Sequence, residues 1–405
     1  MHLVVLFHNI GGYHAARLRA THAACRAKGW DFTALQVIGQ TQEHPWGDLD
    51  DVITFPLETL LNRDQGESED QHSLVRSRLL ATLDQIQPDV MAIPGWGFVA
   101  SRTALSWCRK HRVSTILMSE SKADDEPRSW WKERLKAWLY VRHYDAALVG
   151  SQLHADYAVS LGMSSHGVFR GYDVVDHDYF VTEAEQARCN PDATRQQHPQ
   201  IPHRPYFLAV TRFIPRKNVS RLIDAYRAYR QQVSDPWDLV LCGSGVESDH
   251  LRQQVQHLQL ESWVKFPGFV PYTAIGHWYG LAEALIHPAL QEQWGLVVNE
   301  ACAAGLPIIC SDTVGARYDL VHESENGLLF DPTSTNDLTR CLVTLHQINE
   351  SQRRQWGEAS RAIAAHHRPA QFGQGMIRAA EQALQNHHKT PSTGSDQPHN
   401  QGITL

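Results

Sequence analysis

The stretch "EALIHPALQEQWGLVVNEACAAGLPIICSD", residues 283–312, decides the fold. It opens on an apolar strand-like run (283–288), passes a polar loop, enters a helix near Gly295 and returns to a second apolar run (307–312). Gly305 and Pro307 supply the helix stop. Strand, helix, strand in that order is one unit of a parallel α/β sheet. One residue sits awkwardly in it. Glu300 lies between small and apolar neighbours, where an unpaired carboxylate is costly to bury. Glu292 stands in the loop before the helix, and the bare helix start between the two carboxylates attracts phosphate through its free N–H groups and dipole. An ionised carboxylate only accepts hydrogen bonds, so the pair suits sugar hydroxyls on either side of a phosphate. The plain alternative is a surface glutamate and a core-edge glutamate paired with a lysine.

The alternation extends both ways from this unit. Downstream of residue 205 the strand candidates are 206–211, 238–243, 263–268, 283–288 and 307–312. In the first half they are 3–7, 32–39, 89–95, 113–121 and 146–151, with helical patterns such as 72–87 between several of them. The polar, proline-bearing segment "CNPDATRQQHPQIPHRP" (189–205) interrupts the pattern and reads as a linker. The expected organisation is a first Rossmann-like domain over 1–190, a linker at 191–204 and a second Rossmann-like domain over 205–368. A C-terminal helix at 369–386, able to pack back on the first domain, and a disordered polar tail at 387–405 complete it. Ligands of such sheets bind beyond the carboxyl ends of the strands, so a cleft between the halves is the expected site.

Composition narrows the class. The chain has 405 residues, is 42% apolar and 20% charged, and carries a net charge of −7. That length fits two cores, and that charge argues against a general nucleic-acid binder. Seven scattered cysteines without a C-x-x-C pair favour reduced, buried thiols over disulfides or a zinc site. No run approaches a membrane span, the N-terminus begins directly on a strand, and a cytoplasmic protein is expected. The 24 histidines are dispersed and show no ligand spacing.

Two further constellations flank the cleft. "TRFIPRKNVSRLIDAY" (211–226) follows the first strand of the second half, and its Arg212, Arg216 and Lys217 suit a diphosphate. Its plain alternative is a solvated turn. "FHNIGGYHAARLRA" (7–20) runs a strand into Gly11-Gly12, which permit close backbone approach to an anion but do not make a G-x-G-x-x-G fingerprint.

Together these pieces resemble the family 4 retaining glycosyltransferases of group 1, in order from 206 to about 345. "LAVTRFIPRKNVSRLIDAY" is similar to that family's Arg-x4-Lys loop, "LVLCGSGVE" (239–247) to its G-x-G turn, and "VKFPGFVPY" (264–272) to its base-side loop. "EQWGLVVNE" carries its E-x7-E pair, and "ENGLLFDP" (325–332) a later turn. The resemblance implies a GT-B fold, two Rossmann-like domains facing across a cleft. It implies a hexosyltransferase-type enzyme of glycan biosynthesis that moves a sugar from a nucleotide-diphosphate sugar to an acceptor hydroxyl with retention. Arg212 and Lys217 would hold the departing diphosphate, Glu292 the transferred sugar and Glu300 the ribose, with lysine or backbone help for Glu300 when no ribose is bound. Gly295 and Leu296 would face phosphate and sugar, and Gly11, Gly12, Gly243 and Val270 would line the donor site.

One departure concerns the first half. Many members carry a histidine after the fourth strand, where this chain has Ser119-Glu120-Ser121. Either Glu120 takes that catalytic position or the acceptor chemistry is arranged differently. "FRGYDVVDHDYF" (169–180) sits at the family's Asn-Gly-Val-Asp-like turn and keeps Asp173. No D-x-D lies near the cleft motifs, so no cofactor and no metal are expected, and Asp124-Asp125 are read as solvated. The acceptor is a carbohydrate, a lipid-linked group or a small molecule, and no obligate protein partner is evident. In "RSWWKERLKAWLYVRH" (128–143), positions 131, 135, 138 and 139 share a helical face, expected to pack on the sheet. The alternative is an acceptor patch or a peripheral contact with the inner membrane face. "PGWGF" (94–98) offers Trp96 as a stacking platform or a core residue. Rival readings are a GT-B nucleotide-sugar epimerase, a phosphorylase, or a non-catalytic nucleotide-sugar-binding protein.

Overall fold

The structure, a computed structural model, describes residues 1–40, 52–63, 69–124 and 129–389. The C-terminal helix runs on to Lys389, three residues into the segment expected as a disordered tail; the rest of that tail, from 390 onward, and Asp125 lie outside these residues.

The first half begins with β1 (His2–Phe7), α1 (Gly12–Ala27), β2 (Asp31–Gln40), β3 (Leu57–Arg63), α2 (Glu69–Ile86) and β4 (Val90–Pro94). It continues with α3 (Val99–His111), β5 (Ser114–Ser119), α4 (Trp130–Leu139), β6 (Ala146–Val149), α5 (Gln152–Ser160) and β7 (Val168–Arg170). Helices α6 (His177–Cys189) and α7 (Pro191–Gln197) lead to the second half. There follow β8 (Tyr206–Val210), α8 (Val219–Arg230), β9 (Asp238–Cys242), α9 (Ser248–His257), β10 (Val264–Gly268) and α10 (Tyr272–Leu281). Then come β11 (Ala284–His287), α11 (Leu296–Ala304), β12 (Ile308–Ser311), α12 (Arg317–Leu320) and β13 (Gly327–Phe330). Helices α13 (Thr335–Gln347), α14 (Glu350–Ala364) and α15 (Pro369–Lys389) close the described chain.

Two parallel sheets result, a seven-stranded one in the order β3-β2-β1-β4-β5-β6-β7 and a six-stranded one in the order β10-β9-β8-β11-β12-β13. Their central strands are near-continuous apolar runs because helices cover both faces: Leu3 to Leu6 and Leu239 to Leu241 are wholly buried. This is the GT-B architecture.

The segment expected as a linker begins as helix α7, with Pro191 at its start, and sets Ile201 into the second half's core. Helix α15 returns to the first half, where Phe372, Met376 and Ala380 pack with Leu3, Val5 and Leu18. Gly373 lets it approach closely, since a Cβ there would meet the Ala20 carbonyl at 2.7 Å. All seven cysteines are free thiols, six of them buried. Among the described residues no helix is long and apolar enough to cross a membrane.

Helix α4 departs from expectation. Its shared face does not pack on the sheet: Trp131, Leu135, Trp138 and Leu139 are all exposed, and none of its residues is buried. The inward side is taken by Glu133, Lys136 and Ala137, so polar contacts rather than the apolar stripe seat the helix.

Candidate functional site

Strands β8 and β11 are neighbours, yet β9 lies on one side of them and β12 on the other. This is the switch point of the second sheet, where the loops leaving two carboxyl ends part and open a crevice. After β8 the chain passes exposed Arg212 and enters a 3-10 turn at Pro215–Lys217, ended by Asn218 in the left-handed region (φ 59°). That turn buries Lys217. After β11 the loop delivers Glu292, and Lys217 Nζ and Glu292 Oε2 form an ion pair. His287, the last residue of β11, lies 3.4 Å from the same oxygen through Nε2.

Three titratable groups thus share one buried spot. Burial would raise the Glu292 pKa, but His287 and Lys217 outweigh it and hold the carboxyl well below the usual range. Burial lowers the Lys217 ammonium even against the attraction of Glu292, and it also lowers His287. Glu292 is therefore an anion at neutral pH.

Gly295 closes the loop with φ 101°, and a Cβ there would come within 3.2 Å of His287 Nε2 and of Val314. Backbone conformation and crowding both call for glycine. Helix α11 starts at once with Leu296, so its N-terminus abuts the Lys217–Glu292 pair. Glu300, deeper in α11, accepts a hydrogen bond from the Tyr279 hydroxyl at 2.6 Å. The expected lysine or backbone helper is replaced by this phenol, because α10 packs directly on α11. Burial raises the Glu300 carboxyl to about 7.

The remaining candidates are placed as follows. Gly243 (φ 143°) follows β9, and a Cβ there would stand 1.8 Å from the Thr211 carbonyl, so the turn lies on the loop of Arg212. Val270 is half-buried after β10 against the second core. Gly11 precedes α1 and its N–H donates to His14 Nδ1 at 3.0 Å. The Tyr272 ring of the second half fills the space a Gly12 Cβ would occupy, at 2.7 Å. Both glycines thus have a packing use, at a helix cap and between the halves.

Glu120 follows β5 on the first half's wall of the crevice. It faces Asp173, with Arg17 Nη2 3.8 Å from Asp173 Oδ1 and both of those side chains fully buried. Burial raises Glu120, with Arg17 opposing the rise and Glu292 across the crevice adding to it. Burial and the facing Glu120 raise Asp173. One proton shared by the two carboxyls, with Arg17 as counter-charge, fits this arrangement. Gly150 is needed beside them, since a Cβ there would lie 2.2 Å from Asp173 Oδ2.

Sequence reasoning passed over His287, Tyr279, Arg17 and His154. His287 had one visible signal, its place at the carboxyl end of a strand beside the first strand of its half. His154 Nε2 meets the Gln293 carbonyl at 3.1 Å, tying the first half to the loop that carries Glu292. Trp96 is half-buried, with Lys136 Nζ 5.4 Å from its ring centroid, and Asp124 is an exposed partner of Lys122.

A cation, a helix N-terminus and an acceptor-only carboxylate in one crevice can bind an anion flanked by hydroxyls. Comparison with known proteins points the same way. Residues 191–363 match the family model of glycosyl transferases group 1. O-antigen chain mannosyltransferase B of Escherichia coli is 30% identical over 177 residues, 44% of this chain and 44% of that protein. Probable sucrose-phosphate synthase 5 of Oryza sativa subsp. japonica is 28% identical over 202 residues, 44% of this chain and 19% of that protein. The chain thus spans less than half the length of these relatives. The structure of Anabaena HepE in complex with UDP and glucose superposes with TM-score 0.70 at 19% identity, covering 93% of this chain and 98% of that one. Residues 191–363 of this chain thus resemble the group 1 glycosyltransferases, within a GT-B fold that spans both halves.

Proposed function

We propose that the protein is a retaining glycosyltransferase acting on a nucleotide-diphosphate sugar and an acceptor hydroxyl. The observation that carries this reading is the buried Lys217–Glu292 pair at the β8/β11 switch point, set against the N-terminus of α11. The diphosphate competes with Glu292 for Lys217, and Arg212 reaches it from the exposed edge. Gly295 and Leu296 amides complete the anion site. Glu292, released to the sugar, accepts from its hydroxyls, and Glu300 accepts from the ribose. Gly243 and Val270 border the base side, and Gly11 and Gly12 shape the facing wall.

In the reaction the anomeric carbon–oxygen bond breaks and its electron pair leaves with the diphosphate. The acceptor oxygen attacks from the same face and its proton passes to a phosphate oxygen. Lys217, Arg212 and the α11 amides stabilise the leaving charge, a type of contact whose loss costs ~3–4 kcal/mol at the transition state. Glu120, which shares a proton with Asp173, faces the crevice and hydrogen-bonds a sugar hydroxyl. The free thiols fit a reducing compartment, and we place the activity in the cytoplasm.

A donor screen tests the reading, beginning with UDP-sugars because Anabaena HepE is seen with UDP and glucose. Release of nucleoside diphosphate with transfer, or with slow hydrolysis, and anomeric retention in the product are expected. Binding of every donor tried with no turnover would speak for a silent binding protein instead.

A further inference from the structure

Helix α4 is amphipathic in the wrong sense for a helix seated on a core. At about 100° per residue, Trp131, Leu135, Trp138 and Leu139 form one stripe, flanked by Arg134 on one edge and Lys132 on the other. That stripe faces water: the four side chains are 52%, 47%, 56% and 39% exposed, and Trp130 at the helix start is 75% exposed. The polar side is the one turned inward. Lys136 Nζ bonds Glu133 at 2.9 Å and the Tyr157 hydroxyl at 3.1 Å, and that hydroxyl also donates to Glu133. The only acid of α4 is thus spent on the inner face. Outward remain Lys132 and Arg134, joined by Arg142 just beyond the helix. Lys132 Nζ lies 5.5 Å from the Trp131 ring and Arg142 Cζ 4.8 Å from the Trp138 ring, so cations and indoles form one layer.

We propose that this face docks on a bilayer surface bearing anionic headgroups. An indole has an apolar body and a polar edge and is stable where headgroups meet acyl chains. The flanking cations meet lipid phosphates, a local match within a chain of net charge −7. A symmetric contact with a second copy is disfavoured, because it would set Lys132, Arg134 and Arg142 against their own images. The proposal needs no catalytic activity, so it stands or falls separately from the transferase reading.

The test is vesicle flotation of the full chain, without sugar nucleotide, on phosphatidylcholine vesicles with and without phosphatidylglycerol. The expected result is flotation with phosphatidylglycerol vesicles and about tenfold weaker partitioning on phosphatidylcholine alone. The triple variant Trp131→Ser, Leu135→Ser, Trp138→Ser and the charge variant Lys132→Glu, Arg134→Glu should each lose about tenfold in partitioning. Unchanged melting temperatures would show that both still fold. Wild-type protein that stays off both vesicle types would overturn the proposal, as would variants that float as well as wild type. Self-association in sedimentation that depends on the α4 tryptophans, with no vesicle binding, would also overturn it and assign the face to a second copy.

Discussion

Glu300 and Lys217 carry the residue-scale argument. A carboxyl raised from 4.5 to about 7 keeps a proton in the native state that the unfolded chain has already released. The Glu300 contribution to stability should therefore fall as pH rises from about 4.5 to about 7, by ~3 kcal/mol, against the opposite contribution of the lowered His287. Glu292 acts in the opposite sense, but its contribution disappears only below the ordinary carboxylate range, outside this window. Urea unfolding at pH 5 and pH 7.5 should show that Glu300→Gln flattens the decline; an unchanged slope would assign the decline elsewhere. Titration calorimetry should also show weaker nucleoside diphosphate binding in Glu300→Gln at pH 8. Lys217→Ala strands the Glu292 charge in the crevice, which costs about 3–5 kcal/mol. Adding Glu292→Gln should recover most of that stability while leaving turnover down by at least about a hundredfold. Recovery of turnover in the double variant would mean that Lys217 matters only as a counter-ion.

At the scale of elements, α11 depends on the glycine before it. Gly295→Ala meets both a left-handed φ and 3.2 Å contacts, so a loss of about 1–3 kcal/mol and weaker diphosphate binding are expected together. A melt paired with calorimetry checks it, and a stable variant that binds normally would remove Gly295 from the site. What was legible follows from burial. Strands covered on both faces, such as β1, β5, β8 and β12, are apolar runs that announce themselves. The strands not anticipated, β3, β7 and β13, are all sheet edges, where a short run such as "VFR" or a mixed one such as "LETLLNR" suffices. The pairing of Lys217 with Glu292 was legible as a shared site because both stand in fixed spacing around one loop and one helix start. Arg17, Asp173 and Glu120 were not legible as a group, since sequence-distant elements bring them together. Helix α4 misled because an apolar stripe carries no mark of which way it faces.

The whole molecule is two sheets joined by specific contacts rather than by a slack tether. Tyr272 occupies the flank of Gly12, Asn299 Nδ2 donates to the Asp173 carbonyl at 3.1 Å, and His154 meets Gln293. Helix α15 then contributes Phe372, Met376 and Ala383 to the first half's core. Truncation after Arg368 should cost the first half its cooperative thermal transition, as followed by circular dichroism; an intact two-domain melt would show that α15 is an accessory. The central claim is that the second half's switch point grips a sugar nucleotide's diphosphate. A crystal structure with bound UDP tests it most directly. It should show a phosphate oxygen within about 3 Å of Lys217 Nζ and close to the Leu296 amide, with a ribose hydroxyl at Glu300. A diphosphate bound away from Lys217, Gly295 and Glu292 would contradict it.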